Sequence, residues 1–128
     1  MIVLDTHAWI WWVSKPARLG RDARREIDRA KRIGIPAICC LEVATLAARG
    51  RISLDRPALQ WMHDALELPR VDLLPLNPAV ATKAAELPSV FPGDPADRLI
   101  AATAILEAAL LITKDERMQE SAVIRTAW

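Results

Sequence analysis

The chain has 128 residues, 52% of them apolar, and a formal net charge of +1 from 17 basic and 16 acidic side chains. That length fits one domain over residues 1–128, with enough chain to hide roughly two thirds of its unfolded surface. The composition excludes a disordered chain, and no apolar run approaches the roughly 20 residues that cross a bilayer.

Met1–Leu4 is a short apolar run followed by Asp-Thr, which reads as a buried strand. It runs straight into Asp5, so it is neither a signal peptide nor an anchor, and the expected location is the cytoplasm. Ala8–Val13 carries Trp9, Trp11 and Trp12. On a helix, residues i and i+3 share a face while i+2 does not. Trp9 and Trp12 are therefore expected in the core, and Trp11 partly exposed, as is Trp61. Ser14-Lys15-Pro16 breaks the pattern. Arg18–Arg32 reads as a helix whose Arg21, Arg25, Arg29 and Arg32 fall on one face, with a stop at Gly34. That stripe has two readings, a solvated face paired with Asp22, Glu26 and Asp28, or an attractor of phosphate.

Ile35–Ile38 reads as the second strand, weakened by Pro36, which lacks a ladder donor. Cys39 and Cys40 are adjacent and far from any histidine at ligand spacing, which makes them small buried apolar residues. Leu41–Arg49 is a helix stopped by Gly50, and Asp55 caps a further helix through Trp61 that ends at Pro69. Val71–Leu76 is a strand, and Asn77-Pro78 opens a helix running to Ala85. Asp94-Pro95-Ala96-Asp97 opens the strongest helix, to about Ala108, with Asp94 at the N-cap and Pro95 at the first helical position. Leu110–Thr113 is a strand, Glu116–Ser121 a short helix and Ala122–Ile124 a final edge strand. Strands alternating with helices imply an α/β fold whose parallel sheet is covered on both faces.

In such sheets the ligand crevice lies beyond the carboxyl ends of the strands. Asp5 follows the first strand, Glu42 opens the helix after the second, Asp97 lies one turn into the strongest helix, and Asp115 follows the last long strand. Each has an ordinary structural explanation alone: an Asx-turn or cap for Asp5, dipole complementarity for Glu42 and Asp97, a cap for Asp115. Their shared sheet edge is what those explanations leave unaccounted for. Converged carboxylates repel unless a cation or proton intervenes. Oxygen ligands without thiolate suit Mg²⁺ or Mn²⁺, and such a site favours phosphodiester hydrolysis. Asp5 and Asp97 are the expected metal ligands, with Glu42 and Asp115 supporting; Asp94 is expected to be occupied as a cap.

Ile2-Val3-Leu4-Asp5-Thr6-His7, the Glu42 helix, Asp94-Pro95-Ala96-Asp97-Arg98-Leu99-Ile100-Ala101-Ala102-Thr103-Ala104 and Leu111-Ile112-Thr113-Lys114-Asp115 resemble the PIN-domain ribonucleases, and among them the VapC toxins of bacterial toxin–antitoxin pairs. The resemblance covers nearly the whole chain. It implies a PIN-like three-layer α/β/α sandwich, a Mg²⁺- or Mn²⁺-dependent endoribonuclease acting on RNA, a cognate antitoxin, and a homodimer. It matches the family's four acids to Asp5, Glu42, Asp97 and Asp115, and its hydroxyl to Thr113. The family's serine three residues before the Glu is Cys39 here, a poor cap, so the Glu42 helix is expected to start differently. Thr6 and His7 accompany the first block; His7 either contacts phosphate or shuttles a proton, or else orients Asp5 or packs at the mouth of the site. Arg98 either binds phosphate or pairs with Asp94.

Two other readings fit poorly. Haloacid-dehalogenase-type phosphatases need a second Asp where this chain has His7, and a receiver domain needs an acid pair that Asp5 lacks. A PIN fold that binds RNA or a partner without cutting is the rival from a different class. All four acids are present, which favours the enzyme.

Overall fold

The computed structural model describes all residues from Met1 to Trp128. Five parallel strands form one sheet in the order β3-β2-β1-β4-β5. They are β1 (Ile2–Leu4), β2 (Ile33–Pro36), β3 (Val71–Leu74), β4 (Leu110–Ile112) and β5 (Thr126–Ala127). Seven α-helices flank them: α1 (Thr6–Ser14), α2 (Arg21–Arg29), α3 (Ile38–Ala48), α4 (Ala58–Leu66), α5 (Pro78–Glu86), α6 (Pro95–Leu106) and α7 (Glu116–Gln119). The architecture is the expected α/β sandwich.

The strand sequences explain the order. β1 and β2 are buried at every position, as strands covered on both faces must be, and they sit mid-sheet. β3 alternates less cleanly and takes one edge. Pro36 is tolerated because the β1–β2 register ends at Val3↔Gly34, short of the proline. Gly34 admits the Leu74 side chain against the strand, where a Cβ would lie 2.5 Å from Leu74 Cδ1. The last strand falls at Thr126–Ala127, not at Ala122–Ile124 as expected. Thr113 N donates to Ala127 O at 3.2 Å, so pairing with the end of β4 fixes its position, which local composition does not signal.

The core joins β1, β2 and β4 to α1, α3 and α6. Trp9 is fully buried and meets Trp61 edge to face, with ring centroids 5.1 Å apart. Trp61 is buried too, against the expectation of exposure: α4 lays it on α1, and Ser14 Oγ accepts from its Nε1 at 2.9 Å. Trp12 is only half-buried, since the inward arc of α1 centres on Ala8, Trp9 and Ile10. Asp55 does not cap α4. Its carboxylate pairs with Arg56 instead, and Pro57 holds the cap position without a side-chain bond.

The arginine stripe resolves mostly into pairs. Arg25 meets Asp22 at 3.2 Å and Arg29 meets Glu26 at 3.7 Å, while Arg32 lies past the end of α2 and pairs with Asp72 of β3. No helix is long and apolar enough to cross a membrane.

Candidate active site

The sheet's order changes direction at β1: the chain passes from β1 to β2 on one side, and β4 lies on the other. A crevice opens at the carboxyl ends of such strands. A cleft of about 540 Å³ sits there, and Asp5, Glu42, Asp97 and Asp115 all line it. Four elements distant in sequence thus present four acids to one space.

Asp5 and Asp115 are fixed locally, Glu42 by a distant contact, and Asp97 by its place in a helix alone. Asp5 directly follows β1, and its backbone N–H continues the ladder to Ile112 O at 3.1 Å. Its Oδ1 accepts from Ala8 N at 2.9 Å, capping α1. Asp115 follows β4 and caps α7, with Oδ1 accepting from Arg117 N at 2.8 Å and Met118 N at 3.1 Å. Glu42 lies in α3, which begins at Ile38 with no side-chain cap, earlier than its sequence suggested. Cys39, in place of a capping serine, is buried and turns its Sγ towards Leu4 O at 4.0 Å. The Thr6 hydroxyl orients Glu42, donating to Oε1 at 2.5 Å. Asp97 stands in the first turn of α6, whose N-cap is Asp94, with Oδ1 accepting from Asp97 N at 3.1 Å.

Thr113 is wholly buried between two of the acids. Its Oγ1 accepts from Asp115 N at 3.0 Å, and its hydroxyl favours the ionised form of Asp5. His7 is exposed at the cleft mouth, and its charge also favours the Asp5 carboxylate. Asp94 stays at its cap outside the lining.

Arg98 neither pairs with Asp94 nor faces the cleft. Its guanidinium donates to Leu87 O at 2.7 Å and Ala84 O at 3.1 Å, with longer contacts to Phe91 O and Pro92 O at 3.4 Å. The carbonyls that end α5 and form the following loop need donors, and a planar fork with five N–H groups supplies them.

The electrostatics match crowded acids. Burial raises the pKa of Asp5, with Asp115 adding to the rise, against the hydrogen bonds from Thr113 and Ala8 N and the charge of His7. Burial also pushes Asp97 up to about 7, followed by the charges of Asp94, Asp115, Glu42 and Asp5. Asp97 therefore feels every other acid of the site. Desolvation raises the Cys39 thiol as well, so it stays protonated and offers no soft ligand.

No three of the chain's His, Cys, Asp or Glu side chains meet as a ready-made metal cage. The donor chemistry nonetheless fits a hard divalent cation. Mg²⁺ keeps several waters and needs only one or two carboxylates, so an open, acid-lined cleft suits it better than a closed cage would.

Lys114, Trp11 and Glu116 also line the cleft, and sequence reasoning did not assign them a role there. The one available signal was the position of Lys114 and Glu116 on either side of Asp115.

A parallel α/β sandwich with acids gathered at its switch point is an open-sheet fold with its ligand crevice at the carboxyl ends of the strands. The chain belongs to the PIN domain family, whose profile matches residues 2–124. It is 43% identical over 118 residues to Ribonuclease VapC22 of Mycobacterium tuberculosis, covering 92% of this chain and 89% of that protein. Its fold is similar to VapBC2 of Rickettsia felis, crystallised with a promoter DNA fragment, at a TM-score of 0.71 and 18% identity, over 99% of this chain and 98% of that one. A toxin–antitoxin complex from Klebsiella pneumoniae is similar at a TM-score of 0.69 and 20% identity, over 95% and 92% of the two chains.

Proposed function

We propose that this chain is a VapC-type endoribonuclease toxin that hydrolyses RNA phosphodiester bonds with Mg²⁺ or Mn²⁺. The observation that carries the reading is the meeting of Asp5, Glu42, Asp97 and Asp115 in one cleft. The 43% identity to a protein named a ribonuclease supports it.

Asp5 and Asp97 would hold the metal, one fixed by its cap and its Thr113 contact, the other free of hydrogen bonds. A bound cation would lower the pKa of a coordinated water and neutralise charge on the phosphate. Glu42, held by Thr6, and Asp115, held by the turn of α7, face the same space and orient the attacking water. That water forms a new bond to phosphorus while one ester P–O bond breaks. The departing oxygen takes up a proton, and the attacking water gives one up to a carboxylate of the cleft. The buried floor beneath Asp5 restricts bulk water to the open side.

A cognate antitoxin is the expected partner, in keeping with the toxin–antitoxin assemblies that share the fold. A homodimer and a cytoplasmic location complete the reading. The test is RNA cleavage by purified protein with and without Mn²⁺, beside Asp5→Asn and Asp97→Asn. Cleavage that needs metal and disappears in both variants supports the assignment. Cleavage surviving both substitutions removes the assigned site. A folded wild-type protein that cuts no RNA in Mn²⁺ favours the non-catalytic binding module.

A further inference from the structure

The acid cleft has a second wall of different chemistry. Trp11 of α1 is half-buried and lines the same cleft as the four acids. The His7 ring lies 5.4 Å from its indole, and Trp128 meets it edge to face at 5.6 Å, which braces the ring against rotation. Two cations sit over it: Lys114 Nζ at 5.6 Å and Arg18 Cζ at 5.8 Å from the ring centroid. Lys114 and Arg18 are exposed, so both can swing aside without leaving the rim.

The acids that would bind metal repel the rest of a polyanion. Affinity for RNA beyond the scissile phosphate must come from groups that are cationic or indifferent to charge. An indole bordered by a lysine and an arginine supplies both, since every base has a π-face and backbone phosphates attract the cations. Trp9 and Trp61 cannot do this, because both are buried.

We propose that Trp11 is a stacking platform for one unpaired base of the RNA, next to the nucleotide whose phosphate is cut, with Lys114 and Arg18 holding the phosphates beside that base. The inference rests on the ribonuclease reading and sharpens it by naming the residue that holds the base beside the cut, since a base within a duplex cannot reach an indole at the rim. Trp11 is thus a positioning and specificity residue.

The test uses a short single-stranded RNA and a series in which one position at a time is abasic. Binding is followed by fluorescence anisotropy in the Asp97→Asn background, with and without Trp11→Leu, and cleavage is followed with the otherwise unaltered chain. One abasic position should weaken binding roughly 10- to 100-fold when Trp11 is present. The same position should cost little once Trp11 is leucine, and Trp11→Phe should keep the positional preference in weaker form. If Trp11→Leu weakens every oligonucleotide equally and no position stands out, Trp11 acts only in packing and the proposal is overturned. Absence of RNA binding overturns it too. Should Trp11→Leu fail to fold, Trp11→Phe decides: a reduced effect at the same single position supports stacking, and a uniform loss refutes it. A clear stacking position in a chain that cleaves nothing would retain the platform and remove the nuclease reading.

Discussion

The Thr6 hydroxyl donates to Glu42 Oε1 at 2.5 Å, tying the first residue of α1 to α3 across 36 positions of sequence. This contact does for Glu42 what helix caps do for Asp5 and Asp115: it holds a carboxylate in the direction of the cleft. Thr6→Val keeps the shape and removes the donor. It should cost about 1.5–3 kcal/mol in urea denaturation, the range for a hydrogen bond to a charged group. It should also reduce kcat/KM for RNA at least tenfold, with Thr6→Ser restoring most of both.

Asp97 contributes to the pH dependence of the metal-free fold, in the same direction as the buried Asp5. The Asp97 carboxyl lies at 3.8 when unperturbed and near 7 in the folded chain, chiefly through burial. The folded state thus binds the proton more tightly than the unfolded one. That contribution to stability is complete below about 4 and is lost as pH rises through about 7. Asp97→Asn should flatten this decline in the urea midpoint measured in chelator, making the variant the more stable protein above neutrality, while cleavage disappears. A steeper decline in Asp97→Asn would reverse the sign and refute the argument.

Metal should act on the same balance in the opposite direction. At a concentration 100 times its dissociation constant, Mg²⁺ or Mn²⁺ should stabilise the wild-type chain by about 2.7 kcal/mol. The gain should be largest above neutrality, where the acids are charged, and should nearly vanish in Asp97→Asn. Thermal melts with and without chelator measure it.

Asp94 separates capping from charge. Asp94→Ala removes the N-cap of α6 and should cost about 1 kcal/mol. Asp94→Asn retains a capping oxygen but removes the second-largest cause of the raised Asp97 pKa. Its stability loss with pH should therefore move to lower pH, with little change in the maximum. Coincident profiles for Asp94→Asn and wild type would show that the two carboxylates do not interact.

Arg98→Met should destabilise the chain by about 2–3 kcal/mol, since several part-buried carbonyls lose a charged donor together. Arg98→Lys should recover only a fraction, because an ammonium cannot span the same fan of oxygens. Hydrogen exchange should report the damage in residues 87–93, the segment those bonds hold.

The first four strands, the starts of α5 and α6 and the shared edge of the four acids were legible because each rests on local signals: apolar runs, Asn77 and Asp94 caps, prolines at helix starts. The stretch expected as one helix from Arg18 to Arg32 with a stop at Gly34 is helical only over Arg21–Arg29, and Gly34 lies inside β2. The role of Arg98 was not legible, because its acceptors lie on α5 and the following loop and belong to the backbone, which carries no side-chain signature. Trp61 was misjudged for a related reason. Whether an indole is exposed depends on the helix laid against it, and the α1–α4 packing with its Ser14 acceptor is a tertiary fact. The final strand was displaced because a two-residue edge strand is chosen by its partner, β4. Asp55 offered a good capping residue in the right place, but the adjacent Arg56 claimed its carboxylate.

The caps at Asp5 and Asp115 and the Thr6 contact at Glu42 mean that three of the four acids are also joints of the scaffold, whereas the Asp97 side chain bears no mechanical load. Random inactivation of the gene should then fall into two kinds. Lesions at the joints yield proteins that are scarce as well as silent, and only a lesion at Asp97 leaves an abundant, intact decoy able to occupy whatever normally recognises the active chain.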